Sequence, residues 1–173
     1  MGLSYVYKSL SELYRSQQNL EKALEMAQKT LDIRVELGDV IGQVSVLAEL
    51  AAIQVELNQF DEAFNNYLKA KQGAEAISDK VGVARVNLGI SRLLTQQQNH
   101  QGALKYSDLA IQTMLGSNNE ELLNQVRLQF AESLFNLGRY QEAKRILLEI
   151  LSRTEVNKQL IIEKESYLKL SQV

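Results

Sequence analysis

His100 is the chain's only imidazole, so any proton transfer or metal binding by histidine must start there. Such a group could serve as a general base or a pH sensor, but no Ser or Asp forms a recognisable nucleophile motif around it. Cysteine is absent, which removes thiolate ligands, disulfides and cysteine nucleophiles. One histidine without cysteines does not make an ordinary zinc site. Acidic pairs occur at Glu120-Glu121 and within Glu163-Lys164-Glu165. Glu163 and Glu165 lie two apart, so on a helix they point to different faces. Glu120 and Glu121 follow Asn118-Asn119, where acids at a helix start favour the dipole. The nine glycines never cluster into a phosphate-cradling loop. The basic groups Lys69-x-Lys71 and Lys144-Arg145 are short and flanked by acids or apolar residues. The residues therefore predict no enzyme, no catalytic residue, no metal site and no cofactor, and His100 reads as a packing residue.

The elements that carry these side chains follow from composition. The chain has 173 residues, a length typical of one domain. Its 45% hydrophobic content supports a packed core, and its net charge of −2 gives no general pull toward nucleic acid or acidic lipid. No apolar run reaches about 20 residues, and no basic-then-apolar leader opens the chain. The expectation is a cytoplasmic protein that binds neither nucleic acid nor membrane.

Repetition organises everything else. Ala23, Ala63, Ala103 and Ala143 fall 40 residues apart, as do Val6, Val46, Val86 and Val126. Ser11, Ala51, Ser91, Ala131 and Ser171 are all small, while Leu10, Leu50, Ile90, Phe130 and Leu170 are all large and apolar. Several columns in one register establish an internal repeat. Within a unit, Val46, Leu47, Leu50, Ile53 and Leu57 keep helical spacing; Asn58-Gln59 breaks it; Phe60, Ala63, Phe64, Tyr67, Leu68 and Ala70 resume it. Turn residues recur at Gly38-Asp39, Ser78-Asp79 and Asn118-Asn119. Each unit is thus two helices, the first starting near Gly2, Gly42, Gly82 and Leu122. The small columns let two helices cross at the short end of about 8–10 Å, with Ala51 facing Ala63. The class is all-α.

At these residues the chain resembles the tetratricopeptide repeat family, whose pattern runs aromatic, Leu-Gly, Tyr, Ala, aromatic, Pro. Tyr7, Leu10, Ser11, Tyr14 and Ala23 match in the first repeat, and Leu47, Leu50, Ala51, Ala63 and Tyr67 in the second. The third keeps Ile90, Ser91, Ala103 and Ala110, and the fourth has Phe130, Ala131, Gly138, Tyr140 and Ala143. The step of 40 rather than 34, with no proline anywhere, is similar to the long subclass of the family, in which about 9 Å of helix is added per repeat. The resemblance implies a right-handed α-solenoid of antiparallel helix pairs. It would be a single array over 1–173, with repeats at 2–41, 42–81, 82–121 and 122–160 and a terminal half-repeat or capping helix at 161–173. Tyr167, Leu170 and Ser171 repeat Tyr7, Leu10 and Ser11 at four full steps, which suits either a solvating cap or a fragment of a longer array. Ile161, Ile162, Tyr167, Leu168 and Leu170 would also allow weak self-association there.

The family further implies a concave groove lined by first helices. Taking the packing columns inward leaves Tyr5, Ser45, Arg85 and Gln125; Lys8, Ala48, Leu88 and Leu128; Glu12, Ala52, Arg92 and Glu132; and Arg15, Val55, Thr95 and Phe135. Glu49 and Gln129 lie beside them. The carboxylate clamp that some tetratricopeptide domains use is missing, because Lys8 has Glu12 one turn on and its column carries no other lysine. The expected partner-binding residues are Glu49, Ala52, Val55, Arg85, Leu88, Arg92, Leu128, Gln129, Glu132 and Phe135. They suit a peptide or helical segment with apolar anchors and flanking charge, held by a non-catalytic protein–protein interaction scaffold. The alternative is a ligand- or peptide-responsive sensor module of a larger signalling protein.

Overall fold

The computed structural model describes residues 2–154, and the expected half-repeat at 161–173, with the self-association assigned to it, lies outside them. Among the described residues there are eight helices and no strand: α1 (Gly2–Ser16), α2 (Leu20–Glu36), α3 (Val40–Glu56), α4 (Phe60–Ala76), α5 (Lys80–Gln96), α6 (His100–Thr113), α7 (Glu120–Asn136) and α8 (Tyr140–Thr154). The first helices begin at residues 2, 40, 80 and 120, within two residues of the sequence expectation. The chain divides into two compact units, residues 1–89 and 90–173, with the division inside α5.

The turns explain the register. Gln18, Asn58, Gln98 and Gly138 occupy one column, and all have positive φ, between 59° and 75°. A left-handed residue after the last helical turn lets the next N–H reach back five residues. Accordingly Asn19 N–H donates to the Tyr14 carbonyl at 2.9 Å, Gln59 to Gln54 at 2.8 Å, Asn99 to Leu94 at 2.8 Å and Arg139 to Leu134 at 2.9 Å. Gly38 and Ser78 play the same part between repeats, at +63° and +56°. Side chains with a Cβ are strained in this region by about 1–2 kcal/mol, against about 0.4–1 kcal/mol of extra unfolded-state entropy for glycine. Ser78→Gly and Gln98→Gly should therefore each stabilise the fold by about 0.5–1 kcal/mol, read as a higher urea midpoint.

One turn departs from the sequence expectation. α6 ends at Thr113, three residues earlier than its counterparts α2 and α4 would place it. The positive-φ residue is Gly116, and Ser117 Oγ then accepts from the Asn119 N–H at 3.1 Å. The Asn119 side chain in turn caps α7 by accepting from the Leu122 N–H at 3.1 Å. The phase of the next helix is kept although the preceding one is shorter.

Packing follows the small columns. Ala23, Ala63, Ala103 and Ala143 are completely buried, as are Ser11, Ala51 and Ser91. In the first unit Ala23 and Ala27 of α2 pack with Val46, Leu50 and Ile53 of α3, bordered by Leu20, Leu24 and Leu31. In the second unit Ser91 Oγ donates to the Ala103 carbonyl at 2.7 Å, tying α5 to α6 where they cross. Close backbone approach leaves room for no larger side chain at these points.

Candidate functional site

The first helices of repeats two and three enclose a cavity of about 360 Å³ that lies wholly within residues 1–89. Two aspartates position its walls. Asp39 accepts from the Gly42 N–H at 2.9 Å and starts α3, and Asp79 accepts from the Gly82 N–H at 2.9 Å and starts α5. The glycine column at 42 and 82 has a direct reason here, since a Cβ at either position would overlap the capping carboxylate. The Gly42 N–H, with Arg34 also paired to it and burial opposing both, holds the Asp39 carboxyl below its usual range.

Val44, Ala48, Val81 and Val86 give the cavity an apolar floor. Val44 and Val86 are buried, whereas Ile41 at the lip is 70% exposed. Ser45, Asp79 and Arg85 supply the polar edge. The Arg85 side chain is exposed and has no ion-pair partner among the described residues. An apolar recess with a guanidinium at its rim can seat a hydrophobic side chain and meet a neighbouring carboxylate.

Between α1 and α3, Ser11 Oγ donates to Glu49 Oε1 at 2.8 Å, and Lys8, Glu12 and Arg15 of α1 lie close enough to act on that carboxylate. Burial raises the Glu49 carboxyl above its ordinary value, and the Ser11 hydroxyl only partly opposes it. A folded-state pKa above the unfolded one favours the protonated form in the fold, so this contribution to stability is lost as pH rises through the raised value. Glu49→Gln should therefore be more stable than the wild type at pH 7. The gap should close on acidification and vanish below about 4.5, the ordinary glutamate value, in urea unfolding at stepped pH.

Of the residues expected to bind a partner, Arg85 lies at the cavity, and Glu49 and Ala52 are half-buried on α3. Two of the expected apolar anchors are buried. Leu88 is 3% exposed and Val55 8%, so both are packed inside the protein and present no free surface. In the second unit Arg92 is exposed, while Leu128 and Glu132 are half-buried. Gln129 is buried and its Nε2 donates to Thr95 Oγ1 at 3.0 Å, which commits it internally. Phe135 is half-buried: it packs on the cluster of Leu104, Leu134 and Ala143 and meets the Tyr140 ring edge-on at 5.2 Å. His100 opens α6 half-buried, as a packing residue would be, with Nδ1 enclosed and no hydrogen-bond partner among the described residues.

The sequence reading missed Ile41, Val44 and Val81. Their signal was available, since Ile41 and Val81 share a column at the second residue of a first helix, where neither is needed for the hairpin crossing. Among the described residues no group of three or more His, Asp or Glu could hold a metal ion, and no helix is long and apolar enough to cross a membrane.

No curated protein matches the chain in sequence. Solved structures do match in fold. Aspartyl phosphate phosphatase F from Bacillus subtilis superposes with a TM-score of 0.90 at 20% identity, covering 97% of this chain and 44% of its own. BtubC from P. vanneervenii gives 0.78 at 20% identity, over 90% of this chain and 65% of that one. A kinesin light chain from Podosopora anserina, described as having nearly identical tetratricopeptide-like repeats, gives 0.78 at 13% identity over 97% and 83%. The chain thus spans less than two thirds of the first two of these structures. Residues 2–76 match the tetratricopeptide repeat family itself. The motif residues of that family are thus matched in the first two repeats, and all eight described helices are laid out as in tetratricopeptide-like solenoids.

Proposed function

We propose that the chain is a non-catalytic interaction module, located in the cytoplasm, that holds a segment of a protein partner against α3 and α5. The observation that carries this reading is the cavity of about 360 Å³ with an apolar floor and Arg85 at its rim. The occupant that fits is a peptide or helical segment in which a large apolar side chain lies next to Asp or Glu. The apolar side chain would fill the space over Val44, Ala48 and Val86, and the carboxylate would pair with Arg85. No cofactor enters this role. Its place within a larger regulatory or scaffolding protein is consistent with solved relatives that are longer than this chain.

A peptide library displayed on phage and selected against the full chain tests the assignment. Enriched peptides should carry an apolar residue beside an acid. They should lose at least tenfold in affinity against Ala48→Trp, which fills the recess, and against Arg85→Glu, which reverses its charge. Selected peptides that bind both variants as they bind the wild type would overturn the site. Turnover of any substrate that disappears in His100→Ala would overturn the non-catalytic role.

A further inference from the structure

The cavity between α3 and α5 has a filled counterpart one repeat earlier. Three of its lining residues, Ser45, Asp79 and Gly82, fall 40 positions after Tyr5, Asp39 and Gly42. Those three earlier residues meet around one side chain, Arg34. Its guanidinium pairs with the Asp39 carboxylate and lies 5.0 Å from the centre of the Tyr5 ring, and its Cδ is 2.7 Å from where a Cβ on Gly42 would be. The Arg34 side chain is 12% exposed there, so it fills the space.

Forty residues on, the filler is gone and its acceptor remains. Ala74 stands at the Arg34 position and Ser45 at the Tyr5 position, which removes both the guanidinium and the ring. Asp79 keeps the geometry of Asp39 toward its own helix, accepting from the Gly82 N–H at 2.9 Å, but it has no ion-pair partner among the described residues. Between α6 and α7 the same position is closed by other means. Met114, 40 residues after Ala74, is 1% exposed, and the cap that follows it is the uncharged Asn119. A charged cap therefore goes with a cation and a neutral cap with an apolar filler, whereas Asp79 is a charged cap bordering open space. A guanidinium matches a carboxylate by parallel hydrogen bonds, and its aliphatic stem packs on apolar surface such as Val81.

We propose that the cavity receives an arginine side chain of the partner segment, with its guanidinium on Asp79 and its stem along Val81 and Gly82. This rests on the proposed role of the cavity and adds a base to the apolar and acidic residues of its occupant. With Asp79 and Arg85 both in its lining, the cavity suits a segment carrying the opposite pair of charges around its apolar side chain.

The probe is Nα-benzoyl-arginine amide, whose ring accompanies the guanidinium, with Nα-benzoyl-citrulline amide as its uncharged isostere. Titrated into the isotope-labelled full chain and followed at the Gly82 amide signal, the arginine compound should give a saturable shift, and the citrulline compound should bind at least about tenfold more weakly. Asp79→Asn removes the charge and keeps the cap, as Asn99 shows by accepting from the Gly102 N–H at 2.9 Å. It should weaken the arginine compound by at least about tenfold. Arg85→Glu should bind the probe no more weakly than the wild type, because the probe carries no acid. Equal binding of the two compounds, or binding that Asp79→Asn leaves intact, would overturn the arginine seat. If such binding is still lost in Ala48→Trp, the cavity keeps its role and only the seat is wrong. Binding that survives Ala48→Trp would overturn both. The absence of any saturable shift would overturn the seat, and the phage selection then decides the cavity separately.

Discussion

Ile53→Ala is expected to lower the stability of the protein by about 2–5 kcal/mol, while Leu13→Ala, at the same place in the repeat, lowers it by less than about 1 kcal/mol. Ile53 is completely buried between Ala23, Ala27, Val46 and Leu50. Truncation leaves a cavity there, because helices locked by alanine contacts on both sides cannot close around it. Leu13 is 50% exposed, so most of its side chain is already in water. Domains of this size have about 5–15 kcal/mol in total, so the first substitution removes a large share. Urea titration of both variants, followed by helix signal, measures the contrast. Equal losses would mean that the repeat column, rather than the local burial, sets the energy.

Gly89→Ala should destabilise the fold, although alanine is the better helix former by about 1 kcal/mol. A Cβ at Gly89 would lie 2.5 Å from two ring carbons of Tyr67 and 2.7 Å from its hydroxyl oxygen. The ring is 5% exposed and has no space to withdraw into. Overpacking of this kind costs about 1–3 kcal/mol, which at most sites exceeds the helix gain. The diagnostic is a double-mutant cycle. In a Tyr67→Leu background, shortening the ring opens the space and Gly89→Ala should become neutral or stabilising. If it stays equally damaging, the ring is not what glycine accommodates.

The hairpin architecture was legible because it is encoded redundantly. Four alanines, four valines and a column of small residues repeat at one step, so no single substitution hides the period. The early end of α6 was hidden because Asn118-Asn119 imitates the turn signals at 38–39 and 78–79, while the chain leaves the helix at Gly116. The candidate site was only partly legible. Column arithmetic treats Ala48, Leu88 and Leu128 as equivalent, but Leu88 is buried whereas Ala48 and Leu128 are half-buried. Phe135 likewise shares its surface with the edge of the Tyr140 ring, a contact that the repeat columns do not contain. Which neighbour covers a residue is a tertiary fact that periodicity alone does not contain.

The segment between α6 and α7 has a practical consequence for handling the protein. Leu115 is 75% exposed, Gly116 is exposed with φ +78°, and α7 nevertheless starts at Glu120, in step with its counterparts. Every other turn holds its helices within three residues, so added length there would pull on a cap. Here the connection carries two exposed residues, Leu115 and Gly116, ahead of Ser117, which supports the cap of α7. This makes 115–116 the natural port for a guest peptide, an epitope or a fluorophore attachment point, and the first bond to offer a protease during domain trimming.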